Sequence, residues 1–304
     1  MMAHFRTLLD LKPEALDALL NRAIELKKLR GTPAHPRPLE GKTVAILLEK
    51  ASTRTRISFE VGVYELGGLP LTLVARDTQL GRGEPLEDTA KMLSGYVHGV
   101  AYRTFGHDRI EALAANASIP VINALSDDFH PCQLLADLQT IREETGKALG
   151  SIKVAYIGDG NNMAHSWMLA AAQLGFELRV ASPEGFEPSE SIGALSRSTG
   201  RGTIKILRSP EEAVSGVDVV TTDVWASMGQ EDEAARRREA FKDYCVTEAL
   251  MAEAASDAIF LHCLPAHRGE EVAAEVIDGP QSRVFIEAEN RLHAQKALME
   301  LLLG

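Results

Sequence analysis

The chain has 304 residues, which is more than one compact core usually holds, and this length predicts two domains. Its composition, 45% hydrophobic and 25% charged, is that of a globular protein. The formal net charge of −11 disfavours nucleic acid and anionic membranes as partners. The three cysteines form no CxxC pair, and no apolar run reaches the roughly 18 residues of a membrane span. We therefore expect no membrane partner and a reducing, cytoplasmic location.

Short apolar runs and segments of helical period alternate along most of the chain. The first twenty residues are expected to form one amphipathic helix. The predicted strands are Thr43–Leu48, Pro70–Ala75, Gly99–Thr104, Pro120–Ala124, Lys153–Ile157, Leu178–Ala181, Thr203–Leu207, Val217–Thr222 and Ile259–Leu264. The predicted helices are Arg56–Leu66, Leu86–Val97, Arg109–Ala115, Leu134–Thr145, Ala164–Leu174, Ser189–Ser198 and roughly Ala288–Leu303. This alternation predicts an α/β fold of mostly parallel sheets with helices on both faces.

A domain boundary is expected near residue 146. Gly146 and Gly150 follow a predicted helix there and precede a new strand. The first domain would cover residues 1–145 and be completed by a C-terminal helix over 286–304, and the second would cover 146–285. Because ligands bind at the carboxyl ends of strands in open parallel sheets, the loops that follow the strands are the candidate sites.

The loop after the first predicted strand carries hydroxyl and arginine side chains at a strand-to-helix turn. They are Ser52, Thr53, Arg54, Thr55 and Arg56. Free N–H groups at a helix start and planar guanidinium groups favour a phosphate, and the absence of GxxxxGK[ST] excludes a nucleotide P-loop. Arg103, His130 and Gln133 follow other strands of the same sheet. Together these loops predict a site for one small anion that carries a carbonyl group.

The segment Gly158-Asp159-Gly160 follows a predicted strand and favours, at first sight, an NAD-dependent oxidoreductase. Met163 occupies the third glycine position of that fingerprint, and the next strand ends at Ser182 instead of an acidic residue. Both features count against a dinucleotide. Asn161 and Asn162 better suit a zwitterionic ligand such as an amino acid.

Two further loops of the second half carry candidate binding groups. Asp223 ends one strand, where a carboxylate can hold an ammonium group, and Ser227-Met228-Gly229 follows it. Cys263 lies at the carboxyl end of the last predicted strand, so an active-site role is more plausible than for a buried cysteine. His262 and His267 suggest zinc, but no third ligand at a suitable spacing accompanies them, and we expect no metal.

Jointly these motifs resemble the aspartate/ornithine carbamoyltransferase family. Ser-Thr-Arg-Thr-Arg at 52–56, Arg103-Thr104 and His130-Pro131-Cys132-Gln133 are similar to its carbamoyl phosphate site. Asp223 with Ser227-Met228-Gly229, and His262-Cys263-Leu264-Pro265, are similar to the motifs of its ornithine branch. The aspartate branch lacks the Ser-Met-Gly loop.

The resemblance implies that the carbamoyl group of carbamoyl phosphate is transferred to the δ-amine of L-ornithine, giving L-citrulline in arginine biosynthesis without a cofactor. It also implies a homotrimer in which a neighbouring chain's loop containing Gln79 reaches the site. The two domains would be joined by the helix over residues 134–145 and the C-terminal helix. A carbamoyltransferase with another amine acceptor, an NAD-dependent oxidoreductase and an inactive amino-acid-binding relative are the alternatives.

The resemblance also assigns residues to each substrate. The residues implied for carbamoyl phosphate are Ser52, Thr53, Arg54, Thr55, Arg56, Gln79, Arg103, His130, Gln133, Cys263, Leu264 and Arg291. Those implied for ornithine are Asn161, Asn162, Asp223, Ser227 and Met228, and those implied for catalysis are Cys263, Arg103, His130 and Asp223. Cys263 is expected to contact the δ-amine, and Asp223 to hold the α-ammonium group. An amine of reference pKa about 10.4 must lose a proton first, which costs roughly 4–5 kcal/mol at pH 7.

Overall fold

A computed structural model of the protein describes residues 4–226 and 233–304. The expected ornithine residues Ser227 and Met228 therefore lie outside the described residues. The chain forms two compact units: Met1–Gln139 with Glu289–Gly304, and Thr140–Ala288. The divisions fall inside two helices, Pro131–Thr145 and Val284–Leu303.

Two sheets, in which every strand pairing is parallel, form the centres of the units. The strands of the first sheet are β1 Thr43–Leu48, β2 Leu69–Val74, β3 Gly99–Arg103 and β4 Val121–Leu125, in the order β2-β1-β3-β4. Those of the second are β5 Lys153–Ile157, β6 Glu177–Ala181, β7 Thr203–Leu207, β8 Val219–Thr222 and β9 Ile259–His262, in the order β7-β6-β5-β8-β9. Two parallel sheets, whose strands alternate with helices and lie at the predicted places, confirm the expected α/β fold class.

The helices alternate with these strands. In the first unit and its connections they are α1 Pro13–Leu29, α2 Thr53–Glu65, α3 Leu86–Tyr96, α4 His107–Asn116 and α5 Pro131–Thr145. In the rest of the chain they are α6 Asn162–Leu174, α7 Glu190–Ser198, α8 Pro210–Val214, α9 Ala234–Phe241, α10 Glu248–Met251, α11 Ala274–Ile277 and α12 Val284–Leu303. Short 3-10 turns lie at Leu8–Asp10, Ala75–Asp77, Leu80–Arg82 and Leu149–Ser151. The sequence did not predict α8, α9, α10 and α11. Helices α8, α10 and α11 are too short to show a periodic pattern.

The expectation of one helix over the first twenty residues is wrong. Phe5 pairs with Ile122 as an isolated bridge beside β4, and Thr7 caps the turn Leu8–Asp10. Helix α1 begins only at Pro13, because proline lacks the N–H group that an interior helical position needs but suits the first position.

Both faces of each sheet are covered. In β1, Ala45 and Leu47 pack in one cluster with residues of α3 and α4, while Val44 and Ile46 on the opposite face are also buried. In the second sheet, Phe260 of β9 belongs to a core with residues of α8, α10 and α11. Parallel strands buried on both faces read as continuous apolar runs, which is why their positions could be predicted. Within residues 4–226 and 233–304, no helix has the length and apolar character needed to cross a lipid bilayer.

Candidate active site

The loop after β1 forms the start of α2. The Ser52 side chain caps this helix and accepts a hydrogen bond from the Thr55 amide at 3.2 Å. Thr55 is buried in the first turn, Arg54 is half-buried, and Thr53 is exposed. Because the first N–H groups of a helix have no partner within it, this turn presents donors and the positive end of the helix dipole.

Arginines from two distant segments meet at Thr55. The Thr55 hydroxyl lies 3.4 Å from Arg103 Nη1 at the end of β3 and 3.5 Å from Arg291 Nη2 in α12. Arg291 Nη1 also donates to Gln133 Oε1 at 2.7 Å, and Gln133 is in α5. These four side chains are buried. Two buried guanidinium groups around one hydroxyl create a strongly positive environment that favours an anionic ligand.

His130 directly precedes α5 in the same unit. Burial, followed by the positive charges of Arg291, Arg103 and Arg54, holds the pKa of His130 well below its usual value of 6.5. The imidazole is therefore neutral at pH 7. A neutral imidazole can donate an N–H to a carbonyl oxygen without adding a further positive charge.

Two residues expected at this anion site, Arg56 and Gln79, are exposed to solvent in the chain. Arg56 is exposed, and its Nε donates to Glu60 Oε1 at 2.9 Å. Gln79 is exposed and precedes the 3-10 turn Leu80–Arg82 beyond the edge strand β2. The expected residues that contact one another are thus Thr55, Arg103, Gln133 and Arg291. Gln79 faces solvent.

The carboxyl edge of the second sheet joins Asp223 to two of the other predicted residues. Cys263 Sγ lies 3.1 Å from Asp223 Oδ1, and Asn161 Nδ2 donates to Asp223 Oδ2 at 2.9 Å. The other side-chain atom of Asn161, Oδ1, caps α6 by accepting from the amides of Met163 and Ala164 at 2.9 and 3.3 Å. Asn162 is the first residue of α6.

The Cys263–Asp223 contact bears on the expected division of roles. The two amines of ornithine lie at opposite ends of its aliphatic chain, whereas the Cys263 thiol and the Asp223 carboxylate are in hydrogen-bond contact. This proximity favours one amine as the partner of both groups, whereas the resemblance implies a separate amine for each.

Buried groups that sequence reasoning missed support the loop that carries Cys263. His262 Nδ1 accepts from the Leu264 amide at 2.9 Å, and His262 Nε2 lies 3.1 Å from Glu271 Oε1. Glu287 accepts from the His262 amide at 2.9 Å. Leu264 has a left-handed backbone, with φ of 56°, a strained conformation that a non-glycine residue adopts only when its surroundings enforce it. The spacing of Glu271 and Glu287 from His262 gave no signal of these contacts.

The fold also brings together groups that could act as metal ligands. Ligand atoms of Asp223, His262 and Cys263 lie within 4.8 Å of one another, as do those of His267, Glu270 and Glu271. The two histidines therefore belong to separate clusters, and the sequence spacing did not show that Asp223 lies beside Cys263. Both ring nitrogens of His262 are already engaged by Leu264 and Glu271, so metal binding would require those contacts to break.

The backbone of the glycine segment after β5 is in close contact with the loop that follows β6. The Gly160 amide donates to Phe186 O at 2.8 Å, and a Cβ atom on Gly160 would lie 2.1 Å from the Pro188 nitrogen. The Ser182 hydroxyl donates to Gly158 O at 2.7 Å. Gly160 and Ser182, which would face a dinucleotide in the fingerprint, are thus engaged in contacts within the protein. These contacts do not favour dinucleotide binding.

A cavity of about 540 Å³ adjoins this edge of the second unit. It is lined by Trp225, Ala226, Arg237, Arg238, His267, Arg268 and Glu270. Among the described residues, none of those expected to bind either substrate lines it.

The fold and the two clusters define a two-unit α/β protein with an arginine-lined anion site in one unit and a thiol–carboxylate group in the other. The family model for the carbamoyl-P binding domain of aspartate/ornithine carbamoyltransferase matches residues 3–143. The model for the Asp/Orn binding domain of the same family matches residues 150–302. The chain belongs to the aspartate/ornithine carbamoyltransferase family.

Individual relatives match over nearly the whole chain. An ornithine carbamoyltransferase of Hydrogenovibrio crunogenus is 54% identical over 99% of this chain and 98% of that protein. An anabolic ornithine carbamoyltransferase of Pseudomonas aeruginosa is 52% identical over 99% of this chain and 97% of that protein. The structure of an ornithine carbamoyltransferase from Pyrococcus furiosus superposes with a TM-score of 0.94 at 48% identity, covering 100% of this chain and 97% of that one.

Proposed function

We propose that this protein transfers the carbamoyl group of carbamoyl phosphate to the δ-amine of L-ornithine, forming L-citrulline and phosphate. The observation that carries the choice of acceptor is the 3.1 Å contact between the Cys263 thiol and the Asp223 carboxylate at the carboxyl edge of the second sheet. Relatives named ornithine carbamoyltransferase, at up to 54% identity over almost the full chain, support the same substrate pair. The relative named anabolic supports a role in arginine biosynthesis.

Carbamoyl phosphate is assigned to the first unit. Arg54 and the N–H groups of the first turn of α2 bind the phosphate, since this turn combines cationic and amide donors. Arg103, Thr55 and neutral His130 donate to the carbonyl oxygen, which gains negative charge as the carbon is attacked. One well-placed donor to such an oxygen contributes about 3–4 kcal/mol to catalysis.

Ornithine is assigned to the second unit. Asn162, at the positive end of the α6 dipole, binds the α-carboxylate, together with Asn161, Ser227 and Met228. Asp223 and Cys263 bind the δ-ammonium group together. The Asp223 carboxylate attracts the cation, and the adjacent thiol contacts the nitrogen once it has lost a proton.

The chemistry then follows from the two assignments. The δ-nitrogen lone pair forms a C–N bond with the carbamoyl carbon, and the C–O bond to phosphate breaks. Phosphate departs with that electron pair and accepts the remaining excess proton of the nitrogen. The Asp223 carboxylate, beside the Cys263 thiol, accepts the first proton of the δ-ammonium group as a general base, and the arginines of the first unit stabilise the leaving phosphate.

The test is an assay of the purified protein with carbamoyl phosphate and L-ornithine, scored for citrulline. Aspartate, putrescine and acetylornithine replace ornithine in parallel reactions. We expect product with ornithine alone. A protein that forms no citrulline but binds ornithine would be the inactive relative, and preferred turnover of another amine would reassign the acceptor.

The active form is proposed to be a homotrimer in the cytoplasm. Large apolar side chains are exposed on α2, β2 and α3 of the first unit: Ile57, Tyr64, Leu69, Leu71, Met92 and Tyr96. A solvent-exposed apolar surface on an edge strand and its flanking helices fits burial against another copy. The free thiols of Cys132, Cys245 and Cys263 fit a reducing compartment. Light scattering should give three times the chain mass, and a monomer with full activity would disprove the assembly.

Gln79 provides a sharper test of that assembly. It is exposed in its own chain, yet it is expected to complete a neighbour's site. Mixing inactive Gln79→Ala chains with inactive Arg54→Ala chains should restore part of the activity, because some mixed trimers then contain one intact site. Mixtures that stay inactive after subunit exchange would contradict a shared site.

A further inference from the structure

The guanidinium group of Arg237 contacts three loops at the carboxyl edge of the second sheet. Its Nη1 donates to Asp159 Oδ2 at 2.9 Å and to the Trp225 carbonyl oxygen at 2.8 Å. Its Cζ lies 5.0 Å from the centre of the Phe186 ring. Asp159 follows β5, Phe186 follows β6 and Trp225 follows β8, so one side chain in α9 connects three separate strand ends.

The contacts of Arg237 are shielded from water. Arg237 is 7% exposed and Asp159 is 6% exposed. Burial raises the pKa of Asp159 to about 6, although the charge of Arg237 acts in the opposite direction. Buried charged hydrogen bonds are strong only when their geometry is kept, so this pair holds its loops in one arrangement.

Two of the residues that Arg237 contacts, Asp159 and Trp225, each lie two positions from a residue expected to bind ornithine. Asp159 precedes Asn161, and Trp225 follows Asp223. The Asn161 amide donates to the Asp223 carboxylate at 2.9 Å, which is the contact between the two loops at the acceptor site. A displacement of either anchor would therefore be passed to Asn161 or Asp223 through a very short stretch of backbone.

We propose that Arg237 is a positioning residue for the amino-acid acceptor, which sets the separation of the Asn161 and Asp223 loops by binding Asp159 and the Trp225 carbonyl at once. This inference rests on the proposed function. Arg237 takes no part in the chemistry described above. Its loss should raise the KM for ornithine, whereas carbamoyl phosphate is bound by residues of the first unit and its affinity should be preserved.

The experiment compares three variants with the wild-type protein. The double variant Arg237→Met with Asp159→Asn removes the bridge without leaving a lone buried carboxylate. Arg237→Lys keeps the positive charge but lacks the planar fork that reaches two acceptors in fixed geometry. Arg238→Met is the matched control, because Arg238 is the next residue of α9, is exposed, and pairs with Glu270 at 3.0 Å.

Steady-state KM and kcat for ornithine are measured together with the calorimetric affinity for carbamoyl phosphate. We expect the double variant to raise the KM for ornithine roughly 10- to 100-fold, since a misplacement of about 1 Å can cost about 100-fold. Arg237→Lys should recover part of this loss. The affinity of the double variant for carbamoyl phosphate should stay within about twofold of wild type. The Arg238→Met variant should keep its KM and kcat for ornithine within the same range.

A folded double variant with an unchanged KM for ornithine would overturn the proposal. If the double variant loses carbamoyl phosphate binding, the damage is general, and Arg237→Lys decides: an unchanged KM overturns the inference and a raised one supports it. Wild-type protein that makes no citrulline would refute the proposed function itself, which is a distinguishable result.

Discussion

Arg291 and Gln133 are in direct contact, with 2.7 Å between Nη1 and Oε1, although they are far apart in the sequence. The same arginine of α12 also reaches the start of α2, where Arg291 Nη2 lies 3.5 Å from the Thr55 hydroxyl. The first unit is therefore incomplete as an anion site without residues Glu289–Gly304. This explains why a segment at the end of the chain belongs with the first sheet.

Arg54 and Arg56 should differ in their importance for carbamoyl phosphate. Arg54 is half-buried, and its charge acts on buried His130, whereas Arg56 is exposed and donates to Glu60. Arg54→Gly should lower the affinity roughly 100-fold or more, because two charge-assisted hydrogen bonds are lost. Arg56→Gly should have a much smaller effect. Titration calorimetry measures both, and equal losses would mean that Arg56 leaves Glu60 to bind the ligand.

Replacement of Cys263 by serine should slow the reaction more than it weakens binding. A serine hydroxyl can still donate to Asp223 but is less readily deprotonated than the thiol 3.1 Å from that carboxylate. We expect kcat to fall about 10²- to 10³-fold. Cys245→Ser is the control, since Cys245 is a half-buried thiol outside both clusters. Unchanged kcat in Cys263→Ser would remove Cys263 from the mechanism.

Gly160 should not tolerate alanine. The added methyl group would lie 2.1 Å from the Pro188 nitrogen and 2.2 Å from the Glu187 carbonyl carbon, so the loop before Asn161 would have to move. We expect the KM for ornithine to rise about 10-fold in Gly160→Ala. Gly95→Ala is the control, because no atom lies within 4 Å of its added Cβ and helix α3 should gain about 0.5–1 kcal/mol. Normal ornithine kinetics in Gly160→Ala would show that this loop does not position the acceptor.

His293 should make the first unit sensitive to acid. Burial, followed by the charges of Lys296, Lys27 and Arg30, lowers its pKa from 6.5 to about 3. Between these values the unfolded chain binds a proton that the folded chain does not, so stability rises with pH across this window and is lost on acidification. From pH 7 to pH 5 the loss from this group is up to about 2 kcal/mol.

Denaturant unfolding of His293→Gln at both pH values measures that contribution. The variant should show a smaller loss of stability on acidification than wild type, whatever its stability at pH 7. His267→Gln is the control, since the His267 side chain is 55% exposed. A pH dependence identical to that of wild type would exclude His293 as a source of acid sensitivity.

The sequence by itself determined the fold class and most of the strand positions. Strands buried on both faces appear as short apolar runs, and β1, β5 and β7 lie at the predicted residues. The loop of hydroxyl and arginine side chains at 52–56 could also be predicted, because the strand end and the helix start that define it are adjacent in the chain. The N-terminal segment before Pro13 and the short helix α8 lacked such a pattern.

Only the tertiary structure decided which of the candidate side chains meet. Sequence spacing does not show that Arg291 reaches Thr55, that Arg56 turns to Glu60, or that Arg237 connects three loops. Nor could it show that Asp223 and Cys263 are in contact, since β8 and β9 are neighbours only through sheet pairing. Periodicity is a local property, whereas contacts between distant segments depend on strand order and side-chain direction, which a pattern along the chain does not contain.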